Sequence, residues 1–385
     1  MNRENVRVTI VREGYKSFAK EVKELSHGGR VLLFTEEGLS GDDACAALSF
    51  EGMRVTRRDI PEKCAEDIYS ELQKAPEGIM AAVGVGGVRP IEAMKAAHIP
   101  SGIPKLLFPT ELSALSATDE RIFFGTKNAL PSSRSTGHIA LLDPDLLAAS
   151  PLRPGLGYLI ALLTEEADGA YERLILSGDS PATALRTLRE KASVLKEIRE
   201  EQAATDVVNA VLTFTSFTGK LPLSSSAHTL AILAAKKTGG CFVDYLFSAA
   251  YALLLLYSGY LGSLPLEHCP PPDRTENLRL LNVKCGVSPS LFYKEQKSYA
   301  EGYDERWSRT AEYREDFLEA LDGVIPLSSL SRLYRRSPHE DERSPTLSAS
   351  DLLMLLSLTG EAVSGYPLIK HVKMTGLIEP LLRCG

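Results

Sequence analysis

The chain has 385 residues, 44% hydrophobic and 24% charged, which is a globular composition with length for two domains, each with its own core. Its formal net charge of -7 comes without any dense Lys/Arg cluster, which argues against nucleic acid as a partner. Cys45, Cys64, Cys241, Cys269, Cys285 and Cys384 form no C-x-x-C pair or zinc-module spacing; with no apolar signal core near Met1, they read as reduced thiols of a cytoplasmic protein.

In chain order, strand signals at residues 6–11 and 31–34 and around Val55 alternate with helix signals at 15–25 and 42–48. A helix at 64–72, a strand at 79–83, a helix at 90–97 and strands at 106–108 and 138–142 continue the alternation. Such a pattern predicts βαβ units and a mostly parallel, Rossmann-like sheet over residues 1–150.

Beyond Pro151 the pattern turns helical, with segments at 155–167, 181–204, 207–217, 226–237, 245–260, 301–321 and 349–358. This part, 151–385, reads as an all-α domain, with Pro181 at a helix start and an exposed loop at 337–345. Residues 245–266 carry no charge, but Ser248, Ser258, Gly259 and Ser263 interrupt the run, so a helix buried in a bundle is expected rather than a membrane span.

The most informative stretch follows the apolar run 79–83: Gly84-Val85-Gly86-Gly87-Val88-Arg89-Pro90-Ile91-Glu92-Ala93-Met94-Lys95. A strand, a glycine turn and a helix present backbone N–H groups to a dinucleotide pyrophosphate. Gly84 is expected to let the chain leave the strand, and Gly86 and Gly87 to let a phosphate approach. Arg89 is placed to pair with the pyrophosphate or a 2′-phosphate, whereas the β-branched Val88 is expected to crowd it.

These residues resemble the superfamily of dehydroquinate synthase, iron-containing alcohol dehydrogenases and glycerol-1-phosphate dehydrogenase. The family turn Gly-x-Gly-Gly-Gly-Ser-x-x-Asp-x-x-Lys is similar to the stretch from Gly84 to Lys95, Pro109-Thr110 with Ser113 resembles the end of the family's next strand, and Asp143-Pro144 a further strand end. The resemblance implies a dehydroquinate synthase-like fold, an α/β domain followed by a helical bundle with a ligand cleft between them. It implies NAD or NADP bound by Gly84, Gly86, Gly87, Arg89, Glu92, Lys95, Pro109, Thr110 and Ser113.

The family's zinc or iron is held by one acid and two histidines. The resemblance puts Tyr158 at the acid, His228 at the first histidine and Asp244 at the second, a degenerate set. Tyr158 is then a candidate proton donor, and Lys127, beside Asn128, a candidate contact for a substrate phosphate or carboxylate. Three functions follow as alternatives: an NAD(P)-dependent oxidoreductase acting on a small polyol or glycerol phosphate, a sugar-phosphate cyclase, or a non-catalytic ligand-binding relative. A homodimer is compatible with each.

Overall fold

A computed structural model describes residues 6–61, 75–123, 134–217, 225–262, 275–288, 301–324, 332–335, 347–363, 365–375 and 378. The expected helix at 64–72, the loop at 337–345 and the Lys127–Asn128 pair fall outside the described residues.

The alternating signals of the first part become a parallel sheet of β1 (Val6–Ile10), β2 (Arg30–Thr35), β3 (Arg54–Asp59), β4 (Ile79–Gly86), β5 (Lys105–Pro109) and β6 (His138–Leu142). The strand order is β1-β6-β5-β4-β2-β3. Central strands are buried on both faces and read as apolar runs, Val31 to Phe34 in β2 and Leu106 to Phe108 in β5, whereas the edge strands are partly exposed, β1 alternating apolar and polar residues and β3 mostly charged with Val55 as its one apolar residue.

From β2 the chain moves outward to β3, then crosses back through β4 to β5 and β6. The strand order therefore reverses between β2 and β4, and at such a switch point the carboxyl ends of the two strands open a crevice.

Helices α1 (Tyr15–Ser26) and α2 (Leu39–Phe50) cover one face of the sheet. The i, i+4 pairs Phe18/Val22 and Ala44/Leu48 set their apolar sides against Val31, Leu33, Val83 and Phe108, and Phe18 stacks on Phe108 with ring centroids 4.7 Å apart. Helix α3 (Val88–Ala96) follows β4, a 3-10 turn (Leu112–Thr118) follows β5, and α4 (Pro144–Ala148) follows β6. The Asp143-Pro144 motif is a helix start: the Asp143 carboxylate accepts the N–H groups of Asp145 and Leu146 and, at 2.7 Å, that of Gly14.

The second part is helical: α5 (Leu152–Glu172), ending in a π turn (Arg173–Ser177), α6 (Pro181–Ala184), α7 (Arg186–Leu195), α8 (Ala203–Phe217) and α9 (Ser226–Thr238). It continues with α10 (Phe242–Gly262), α11 (Thr275–Cys285), α12 (Tyr303–Val324), α13 (Ala349–Ala362) and α14 (Leu368–Met374). The sequence predicts one helix over 181–204, but the exposed polar run Lys196, Glu197, Arg199, Glu200, Glu201 and Gln202 has no apolar face to bury, and the helix stops at Leu195.

Helix α10 is long and apolar enough to cross a membrane, but 61% of its most apolar window is buried within the protein, with Tyr257 and Tyr260 wholly enclosed. It is a core helix, as its serines suggested.

The chain divides into two compact units, and the division is not the single boundary at 150 that the sequence suggests. The first unit takes Met1–Thr126, Pro131–Gly155 and Glu201–Ser216, and the second takes the rest. Helix α8 thus belongs to the sheet unit. Its Val207 packs so closely beside Leu112 at Gly155 that a Cβ on Gly155 would lie 3.2 Å from Val207 Cγ1 and 3.1 Å from Leu112 Cβ.

Candidate functional site

The crevice of the sheet unit is built by the ends of β2, β4 and β5. The glycines of the turn differ in role from the sequence expectation. Gly84 is not where the chain leaves the strand: it sits within β4, paired with Phe34 and Leu107, and a Cβ there would lie 2.9 Å from Met94 Cβ. It lets α3 pack onto β4. The chain leaves at Gly86, whose φ of 128° an L side chain rarely adopts.

Gly87 is the N-cap of α3, and the space beside it is acidic. A Cβ at Gly87 would stand 3.0 Å from Glu111 Oε2 and 3.3 Å from Glu36 Oε1. Glu36 is the first residue after β2, and Glu111 follows Pro109 and Thr110 at the end of β5. The Thr110 N–H donates to the Gly86 carbonyl at 3.1 Å, and Ser113 Oγ donates to Glu111 Oε2 at 2.9 Å, so Thr110 and Ser113 brace the turn. Burial, and then the charge of Glu111, hold the Glu36 carboxyl above its usual range, while Arg89 pulls it down. Val88 does not crowd the crevice, since its side chain is buried, with 5% exposed.

Glu92 and Lys95, expected to contact the cofactor, face the interior and are used up there. Lys95 Nζ lies 2.8 Å from Glu92 Oε1 and donates to the Ser116 carbonyl at 3.0 Å; Ser116 Oγ and the Phe123 N–H donate to the same Glu92 carboxylate at 2.7 and 2.5 Å. Both side chains are fully buried. The pair fastens α3 to the segment after β5 and is not a cofactor contact.

In the helical unit, Gly157 lets α5 approach α10, since a Cβ on it would lie 2.9 Å from the Phe247 backbone nitrogen. Next to it, Tyr158 packs edge-on against His228, with ring centroids 5.8 Å apart. In this unit the residue missed by sequence reasoning is Glu165, seven positions after Tyr158 and so on the same face of α5, as Glu36 and Glu111 were missed in the sheet unit. Its Oε1 lies 2.8 Å from His228 Nδ1, and Ser225 Oγ, the N-cap of α9, lies 2.8 Å from the same nitrogen. Tyr158, Glu165 and His228 are all buried. The i, i+7 spacing from the glycine-flanked Tyr158 was the available signal.

Asp244 is not part of this cluster. It lies exposed in the first turn of α10, where its carboxylate accepts the Cys241 N–H at 3.2 Å. An Asp in a first turn serves the orphan N–H groups of the helix start, and that local role corrects its expected place as a second ligand.

No family model matches this sequence, and no curated protein is similar to it in sequence. Solved structures are similar in fold. An iron-containing alcohol dehydrogenase from Thermotoga maritima superposes with a TM-score of 0.55 at 14% identity, covering 100% of this chain and 99% of that one. A probable glycerol dehydrogenase from Sinorhizobium meliloti gives 0.55 at 15%, covering 99% and 96%. The glycerol dehydrogenase of Schizosaccharomyces pombe gives 0.54 at 14%, covering 98% and 90%.

The fold is that of the iron-containing alcohol dehydrogenases.

A resident metal in this alcohol dehydrogenase fold needs donors that converge. Among the described residues no group of three or more His, Cys, Asp or Glu side chains is placed to hold a metal ion. His228 instead engages Glu165 and Ser225, and an aromatic ring stands at the expected acid. The donor set does not fit zinc or iron. The backbone of the sheet unit offers a strand, a glycine turn and the uncapped N-terminus of α3 at the switch point, with the carboxylates of Glu36 and Glu111 beside Gly87.

Proposed function

We propose that this protein keeps the dinucleotide-binding half of the chemistry of its fold and has given up the metal-binding half: an oxidoreductase-like protein that takes NAD(H) and has no resident zinc or iron. The supporting observation is the contrast between the two units. The crevice at Gly86 and Gly87 keeps a glycine turn and a helix start with no side-chain cap, while the expected ligand positions hold a packed tyrosine, a histidine engaged by Glu165 and Ser225, and an exposed capping aspartate.

The preference within the nicotinamide cofactors follows from charge. Glu36 at the end of β2 is suited to accept ribose hydroxyls and to repel a 2′-phosphate, so NAD(H) is favoured over NADP(H). Arg89 sits within range of Glu36 and tempers that repulsion. A bound dinucleotide would supply hydride transfer; the chain's own part is to hold the pyrophosphate at α3. In the helical unit, Glu165 fixes the orientation of the His228 imidazole. The small polyol or alcohol expected from the resemblance remains the proposed substrate class, with acid–base side chains in place of a Lewis acid.

The deciding experiment pairs metal analysis of the purified protein with titration of NADH and NADPH. The reading expects less than stoichiometric zinc and iron, a metal content unchanged by His228→Ala, and tighter binding of NADH. Stoichiometric zinc lost in His228→Ala, or no binding of either nucleotide under any condition, would overturn it.

A further inference from the structure

At the far end of α3 from the glycine turn, a buried lysine is held without a carboxylate. Lys105 opens β5, and its Nζ donates to Thr136 Oγ1 at 2.8 Å and, at a long 3.4 Å, to the carbonyl of Ala97, the C-cap of α3. A helix C-terminus carries about half a negative charge, so it offsets the ammonium only in part. The nearby charges cancel among themselves, Glu92 against Lys95 and Asp119 against Arg121. Burial pushes the Lys105 amine below its ordinary value, and among the described residues no carboxylate acts against that effect. An ammonium withdrawn from water without a counter-charge is costly unless an anion joins it.

The neighbouring histidine states what kind of anion. β5 and β6 run parallel with Leu106 opposite Ile139, which sets Lys105 beside His138 at the start of the two strands. His138 Nε2 lies 2.8 Å from the Ala117 carbonyl. A carbonyl only accepts, so Nε2 carries the proton and Nδ1 is left with a lone pair. That Nδ1 is buried and has no hydrogen-bond partner, and the same holds for Ser135 Oγ, one residue before Thr136. Thr136 is exposed, so a small solute reaches this corner past its hydroxyl. A cation in need of an anion thus stands beside a lone pair in need of a donor. Water answers only the lone pair, and a fully deprotonated anion answers only the cation.

We propose that Lys105, Ser135, Thr136 and His138 form an anion site selective for a small oxyanion that still carries a proton, the class of hydrogen phosphate and bicarbonate. The Lys105 ammonium, steadied by Thr136, and the Ser135 hydroxyl donate to its oxygens, and its own O–H donates to His138 Nδ1. The site is separate from the glycine turn: the nine residues of α3 put about 13 Å between Gly87 and Ala97.

The test is calorimetric titration of the full chain near neutral pH with phosphate, bicarbonate and sulfate, for wild type, Lys105→Met, Ser135→Ala and His138→Gln, with circular dichroism to check that each folds. Sulfate carries no proton at this pH and is the discriminating probe. Wild type is expected to bind phosphate or bicarbonate about tenfold or more tightly than sulfate, and Lys105→Met to lose that binding by about tenfold or more. His138→Gln, whose amide can turn either its N–H₂ or its oxygen to the ligand, should take sulfate as well as phosphate. Saturating NADH should leave the phosphate affinity unchanged. Should Lys105→Met fail to fold, Ser135→Ala takes its place, with a several-fold weaker phosphate affinity expected. Equal binding of sulfate and phosphate by wild type, phosphate binding untouched by Lys105→Met and Ser135→Ala, or no binding of any of the three anions would overturn the site. Phosphate displaced by NADH would also overturn it, by putting the anion at the glycine turn instead.

Discussion

Glu92 and Lys95 show how a motif residue is turned to another use. A carboxylate three positions before a lysine on α3 matches a family turn in sequence, yet both side chains point inward, because the segment after β5 brings the Ser116 carbonyl and hydroxyl and the Phe123 N–H to meet them. A buried ion pair adds little by being there and costs much when one partner is removed. Lys95→Met should therefore destabilise the protein by about 3–5 kcal/mol, read as a lowered urea midpoint, whereas a loss below about 1 kcal/mol would show that Glu92 needs no cation. The glycine turn was legible because backbone freedom is written in residue type, as Gly86 shows. The inward turn of Glu92 and the approach of Glu111 to Gly87 were not, because both depend on a segment distant in sequence.

At the scale of the element, α5 carries the polar core of the helical unit. Tyr158, Glu165, Asp168 and Glu172 recur at spacings of seven, three and four, and so line one face. Asp168 accepts the Tyr257 hydroxyl at 2.8 Å and the Leu368 N–H at 3.1 Å, and Glu172 accepts the Tyr366 N–H, so this face anchors α10 and the chain entering α14. Burial pushes the Asp168 carboxyl up to about 7. Its ordinary value is 3.8, so between these values the folded state keeps a proton that the unfolded chain has shed. The contribution of Asp168 to stability is thus complete below about pH 4 and is lost as pH rises to about 7.

Asp168→Asn keeps an acceptor for both donors but has no proton to lose. Denaturation across this pH range should show the variant gaining on wild type as pH rises, and parallel curves would contradict the assignment. The helical nature of α5 was evident from its periodicity. Its buried acids were not, since an acid on a helix usually marks the solvent side.

At the scale of the whole molecule, each unit encloses a neutral histidine. Burial drives His138, the first residue of β6, and His371, ringed by Tyr171, Tyr260, Tyr303 and Tyr366, down to about 3. The unfolded chain takes up protons at these sites from about pH 6.5 and the folded one does not, so the stability they confer above that pH is lost as pH falls towards 3. His371→Gln should narrow its deficit relative to wild type in thermal melts as pH is lowered from 7 to 4. A constant deficit would mean that His371 takes up its proton alike in the folded and the unfolded chain, against the effect of burial. The split into sheet and helices was readable from the change of period near residue 150, whereas the return of α8 to the sheet unit was not, because an apolar helix does not announce which core it joins.

The two edges of the sheet also predict how the protein behaves when concentrated. β3 carries Arg54, Arg57, Arg58 and Asp59, charges that discourage another strand from adding to it. β1 leaves Val8 and Ile10 37% and 48% exposed, with only Arg7 as a charge. Colloidal stickiness should therefore be one-sided: Val8→Lys should lower light scattering at high protein concentration, while a lysine at Thr56 of β3 should change it little.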